Sequence, residues 1–303
     1  MQTSLIQWTL DGMSRAPEYF SSPYDIHQKI SKVEQLPLLA GVAAQILELA
    51  ANPNADVQQL VNIIEVDLIL AAQVIRWSHS PVYRHHGKIA SVHDAVTRVL
   101  GFDFVLDVAL SLTTLEPLHV NPKGVLGTKM IAQHALLSVQ LMQALSQRMP
   151  EAIRPAAYET FVAALLHNIG FSLFAHYFER EFNNLNKIFV KNPTLELIKI
   201  EKFLFNLDHS LLGAWLMQAW NMPEFLVNVV YHHHNPYYQG EYYQLNQLTY
   251  LSDCLLGSLG IGDAQNQRCP ASVYASLQLT QPACEEALGQ VLQNIDQIKL
   301  MAD

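Results

Sequence analysis

Apolar residues recur at three- and four-residue intervals along most of the chain, the spacing that lays one stripe of an α-helix against a core. In the segment Leu36–Ala51 that stripe is Leu39, Val42, Ala43, Ile46, Leu47 and Ala50. Asn52-Pro53-Asn54 ends it, and Asp56 is placed to cap a helix over Val57–Glu65. Asp67 is placed to cap another over Leu68–Ser78, and Ser91 a fourth over Val92–Leu100, which Gly101 stops. Phe102–Leu115 also reads as helical, before a break at Pro117 and Asn121-Pro122-Lys123-Gly124.

Beyond that break the pattern predicts Thr128–Met149, Pro155–Ile169, Ser172–Glu181, Thr194–Phe205, His209–Trp220, Pro223–His233, Leu245–Leu259 and Gln281–Leu300, the last as a surface helix. No stretch alternates apolar and polar residues between turn signals. The predicted fold is all-α, in two packed helical lobes. The predicted division is an N-terminal extension over 1–24, a first lobe over 25–118, a second over 119–236, and closing helices over 237–303.

Composition narrows the function classes. Half of the 303 residues are apolar and 15% are charged, which excludes a disordered or fibrous chain. With 18 Lys and Arg against 27 Asp and Glu the net charge is −9, too acidic for a phosphate-reading surface, so no nucleic-acid partner is expected. The most apolar stretch, Phe161–Phe178, is interrupted by His167, Asn168, Ser172 and His176 and falls short of the roughly 20 residues a span needs, so no membrane is expected either. Cys254, Cys269 and Cys284 are an odd number without a close pair, and Met1–Trp8 has no basic region ahead of an apolar run. Both features predict a reducing, cytoplasmic setting.

The 13 histidines carry the candidate chemistry. His134, His167, His209, the run His232-His233-His234 and Asp253 are able to converge on a metal, although none of their intervals is a short zinc-finger spacing. His134 lies between Met130, Ile131 and Leu137, Leu141, and so faces inward. Asp253 stands among Leu248, Leu251, Leu255, Leu256 and Leu259. A buried, unpaired carboxylate costs several kcal/mol, so Asp253 implies a cation, a histidine partner or strong hydrogen bonds. The rival reading is a polar network that only holds the lobe together, because a histidine on an apolar face is ordinarily a satisfied core residue.

These residues resemble the HDOD family, a bacterial signalling branch related to the HD phosphohydrolases. The resemblance runs from about Ile30 to Pro236. In the first lobe it is carried by Leu36-Pro37, Val61–Asp67, Ala71–Ser80, Ile89–Val96 and Leu100-Gly101-Phe102. In the second it rests on His134-Ala-Leu, Leu165-Leu-His-Asn-Ile-Gly170, His209-Ser-Leu-Leu-Gly213, Trp220–Pro223 and Tyr231-His-His233. It implies that the second lobe is an HD-like helical bundle, and that His134, His167, Asn168, His209, His232, His233 and Asp253 are metal ligands or their remnants. One divalent ion (iron, manganese, zinc or nickel) is the implied cofactor.

The sequence departs from the HD enzymes at Asn168, where they have an aspartate, and at Phe171, where many have a lysine. An amide oxygen is neutral and does not bridge two ions as a carboxylate does, so among the matching positions one carboxylate remains and a two-metal site is not expected. The function expected on this basis is a signal-transduction binding or output module with a degenerate metal site. Its partner would be a protein, and a small phosphorylated ligand would be held between the lobes or in the HD-like cleft. The alternative is a metal-dependent phosphohydrolase acting on a nucleotide or other phosphate ester.

Overall fold

The computed structural model describes residues 41–67, 91–115 and 124–293, except 193, 221 and 266, together with isolated positions between 70 and 89. The extension over 1–24, most of the helix predicted over Leu68–Ser78, and the end of the helix predicted to reach Leu300 lie outside the described residues. Those described are helical, with no strand among them.

The first lobe contains α1 (Gly41–Ala50), α2 (Val57–Glu65), α3 (Val92–Ala95) and α4 (Phe102–Leu115). The Asp56 carboxylate accepts from the Gln59 N–H, and the Gln59 side chain accepts from the Asp56 N–H, a capping box that fixes where α2 begins. The Ser91 hydroxyl caps α3 by accepting from the Asp94 N–H. The helix expected to run evenly to Leu100 instead widens into a π turn over Val96–Leu100. Its cause is Gly101, which takes a φ of 87° and reaches back to the Val96 carbonyl, five residues earlier.

The second lobe is built on α5 (Thr128–Arg148), α6 (Ala157–Leu166), α7 (Ile169–Tyr177), α8 (Glu179–Lys191) and α9 (Leu197–Phe205). It continues through α10 (His209–Ala219), α11 (Glu224–His232), α12 (Tyr243–Gly257), α13 (Ala271–Ser276) and α14 (Gln281–Leu292). Two predicted boundaries move. The helix expected over Pro155–Ile169 breaks at His167 and Asn168, the latter leaving helical geometry at φ −99°, ψ 12°. The helix expected over Ser172–Glu181 ends at Tyr177 as α7, and a separate α8 runs from Glu179, its buried Phe182, Leu185 and Phe189 recurring at helical spacing.

α5 packs against α6, α12 and α14, while α7 packs against α10 and α10 against α11. The helix expected on the surface, α14, buries Cys284, Ala287, Leu288 and Val291. Phe174 meets Phe205 edge to face with ring centroids 5.1 Å apart, and Phe182 at 5.9 Å.

Gly170 and Gly213 set the approach of α7 to α10. A Cβ at Gly170 would lie 1.8 Å from the His209 carbonyl oxygen, and one at Gly213 would lie 2.7 Å from Val230. Only hydrogen at these positions lets the helices meet so closely. Their contact brings the His167-Asn168 break and the start of α10 to one place.

Candidate metal centre

Six elements deliver polar side chains to that place. His134 comes from α5, His167 from the end of α6, His209 from the first turn of α10, and Asp253 from α12. His233 and His234 follow the last residue of α11, and Asp263 comes from the turn beyond α12. His134, His167, His209, His233, Asp253 and Asp263 are each no more than 2% exposed.

The groups form two adjoining clusters. In one, the Nε2 atoms of His134 and His167 both lie 3.3 Å from Asp253 Oδ1. In the other, His209 Nε2 lies 2.9 Å from His234 Nε2 and 3.4 Å from His233 Nε2. Asp263 Oδ2 lies 3.0 Å from His234 Nε2 and 3.7 Å from His209 Nε2. Asn168 stands between the clusters, its Nδ2 3.4 Å from Asp263 Oδ1 and 3.5 Å from His134 Nδ1.

Hydrogen bonds on the far side of three rings decide which nitrogen carries the hydrogen. His167 Nδ1 lies 2.9 Å from the Ala164 carbonyl and His233 Nδ1 2.8 Å from the Val230 carbonyl, and a carbonyl only accepts. His209 Nδ1 donates to the buried Glu201 carboxylate at 2.7 Å. Once the rings are neutral, as metal binding requires, each of these Nε2 atoms offers a lone pair aimed inward. Outer partners of this kind fix the ring and its tautomer around metals.

Burial opposes charge here, yet the two signs hold each other. Burial would raise the Asp253 carboxyl, but His167 and His134 facing it hold it well below the usual carboxylate range. Asp263 is lowered in the same way by His234, His209 and His134. Burial would lower His209, whereas the Glu201 carboxylate lifts it to about 9. His233 falls well below the ordinary histidine value, through burial and the neighbouring imidazoles.

The donor set fits a divalent cation. His134 Nε2, His167 Nε2, both Asp253 oxygens and Asp263 Oδ2 are buried without a hydrogen bond. Two ligand atoms each about 2.1 Å from one ion, at angles between square and tetrahedral, stand about 3.0–3.4 Å apart. The 3.3 Å separations around Asp253 and those of 2.9–3.4 Å from His209 Nε2 to the other two imidazoles fall at or close to that range.

Five of the seven sequence-predicted residues converge as ligand groups, and Asn168 lies between them. The structure does not bring in His232: its ring stacks on Tyr238 with centroids 4.1 Å apart, and the next two residues turn inward instead. His234 was named only as part of the histidine run, and Asp263 and Glu201 were not among the residues singled out. For His234 the signal was its place in the histidine run. For Asp263 it was Gly260-Ile-Gly262-Asp263, a turn written with two glycines directly after an apolar helix. Phe171, the second departure, lies flat under His209 with centroids 3.8 Å apart.

The HDOD domain model matches residues 36–236, about two thirds of the chain. This chain belongs to the HDOD family. Over 91% of its length this HDOD protein is 30% identical to a candidate signal transduction protein of Marinobacter aquaeolei, with a TM-score of 0.81 and 64% of that chain covered. It shares its fold with an HDOD domain protein of Geobacter sulfurreducens (19% identity, TM-score 0.71, 91% of this chain and 95% of that one). The same holds for a candidate phosphohydrolase of Shewanella amazonensis (19% identity, TM-score 0.66, 90% and 96%). An uncharacterized protein of Treponema pallidum is 20% identical over 264 residues, 87% of this chain. The chain spans about half the length of that curated relative. Among the described residues no helix is long and apolar enough to cross a membrane.

Proposed function

We propose that this HDOD chain is a binding or output module of bacterial signal transduction, whose HD-like bundle holds a divalent ion (iron, manganese, zinc or nickel) in a closed centre. The observation that carries this reading is the closure. Six of the ligand groups are at most 2% exposed, and Asp253 and Asp263 pair with histidines rather than with Lys or Arg. A phosphate ester needs a way in and cations to meet its oxygens. Phe171 fills the space beside His209, and the run Ile169–Phe178 holds no Lys or Arg.

Held there, an ion ties α5, α6, α10, α11 and α12 to one point, which suits a regulatory part more than a turnover site. A bound divalent ion supplies Lewis acidity and lowers the pKa of a coordinated water. The chain's own work is positional: Glu201 and the Ala164 and Val230 carbonyls aim three imidazoles.

The surface offered to a ligand or protein partner is the cavity of about 650 Å³ between the lobes, lined by Leu49, Asn52 and Asp103 on one side and Gln147, Arg154 and Phe161 on the other. Its arginine donates to the Gln147 and Met149 carbonyls, which holds the guanidinium in place at the rim.

Metal content of the purified full chain, followed by hydrolysis assays on phosphate esters with manganese, iron or zinc, tests the reading. Retained metal without turnover is the expected result. A metalloenzyme reading is favoured by one observation, the second carboxylate at Asp263. Turnover abolished by His167→Ala and by Asp253→Ala would establish that reading instead.

A further inference from the structure

Asn168 removes one carboxylate from the cluster, and the structure brings another to it. The chain leaves α12 through Gly257, where a Cβ would lie 2.3 Å from the Ala264 carbonyl oxygen, so the returning strand of the turn packs directly on the helix end. Gly260 and Gly262 take φ values of 74° and 87°, the left-handed region that glycine enters without strain. A Cβ at Gly262 would lie 2.4 Å from the His134 ring, so the turn rests on a member of the first cluster. The next residue, Asp263, is 1% exposed.

Asp263 places Oδ1 3.4 Å from the Asn168 amide nitrogen and Oδ2 3.0 Å from His234 Nε2. Oδ2 is buried yet makes no hydrogen bond, despite that short distance. Beside it the Nε2 atoms of His209, His233 and His234 are spaced like ligands of one ion. A counter-ion role alone would orient an imidazole N–H at the oxygen. A buried oxygen without a hydrogen bond, facing clustered imidazole nitrogens of which those of His209 and His233 have their hydrogens drawn to Nδ1, suits a cation between them.

We propose that Asp263 supplies, from outside the segment matched by the family, the carboxylate missing at Asn168, and with His209, His233 and His234 forms a second divalent-cation site beside that of His134, His167 and Asp253. The inference rests on the metal-centre reading above and extends it from one ion to two. The cation class is a borderline divalent ion taken by mixed imidazole and carboxylate donors, such as Mn²⁺, Fe²⁺ or Zn²⁺.

Mn²⁺ titration of the metal-depleted full chain, read by calorimetry and by the paramagnetic resonance spectrum, tests the inference. Wild type is expected to take two equivalents and to give the broadened spectrum of two neighbouring ions. Asp263→Asn should take one, its second equivalent weakened at least as much as the roughly 10–100-fold seen when an outer partner is lost. Asn168→Asp combined with Asp263→Asn should restore the second equivalent, which a role in packing alone would not produce. His234→Gln, at the least buried member, should lose the same equivalent and serves if Asp263→Asn does not fold. Two equivalents unchanged in Asp263→Asn and His234→Gln, or one equivalent in wild type, would overturn the second site while leaving the metal centre. No binding by folded wild type would overturn both.

Discussion

The two clusters differ in how each obtains its carboxylate. Asp253 projects from the middle of α12, a helix buried along almost its whole length, and meets His134 and His167 from α5 and α6. Asp263 rides on a four-residue turn held by two left-handed glycines and meets histidines from α10 and the end of α11. The first cluster is set by helix packing and fails only if the bundle fails. The second depends on a turn and on the Glu201 carboxylate, which sits behind His209. Similar chemistry is thus held with two degrees of mechanical security.

Substitutions separate the two. The largest effect is expected from Asp253→Ala. It strands two buried imidazoles and should destabilise the metal-depleted protein by about 3–5 kcal/mol, measured by urea unfolding. Less than about 1 kcal/mol would show that the first cluster is not held by its carboxylate.

Gly170→Ala comes next. Its Cβ has no room against the His209 carbonyl, so about 1–3 kcal/mol or more should be lost, and both clusters should weaken together because α7 and α10 move apart. Unequal weakening would mean that the helix crossing positions only one of them.

Glu201→Gln touches the second cluster alone. Metal affinity there should fall roughly 10–100-fold by calorimetry, with the first cluster unchanged. Equal loss at both would erase the distinction between them. The smallest effect belongs to His232→Ala, which removes a ring stacked on Tyr238: stability should change by no more than about 0.5 kcal/mol and metal content not at all.

Much of this was legible in the sequence, for identifiable reasons. Apolar periodicity gave the α2 and α4 boundaries outright, because capping groups and glycine mark their ends. Asp253 was legible because a lone carboxylate among leucines has no cheap explanation. The His232 assignment missed by one residue, since each step along a helix rotates the side chain by about 100° and α11 ends at that point. Asp263 was not legible from spacing: it reaches the cluster from a turn, and turns carry no periodicity to show which way a side chain faces. The inference from Asn168 that one carboxylate remained was sound for the matched positions and incomplete for the folded chain.

The turn beyond α12 also bears on where the molecule can be cut. Both carboxylates, Asp253 and Asp263, lie beyond residue 236, where the family match ends, while all five converging imidazoles lie before it. A fragment trimmed to the family boundary would keep the five converging imidazoles and Glu201 behind His209, and lose both carboxylates that face the inward nitrogens. During synthesis the same asymmetry orders events in time: a nascent chain presents its imidazoles first and acquires the two carboxylates that face them only when Asp253 and Asp263 emerge.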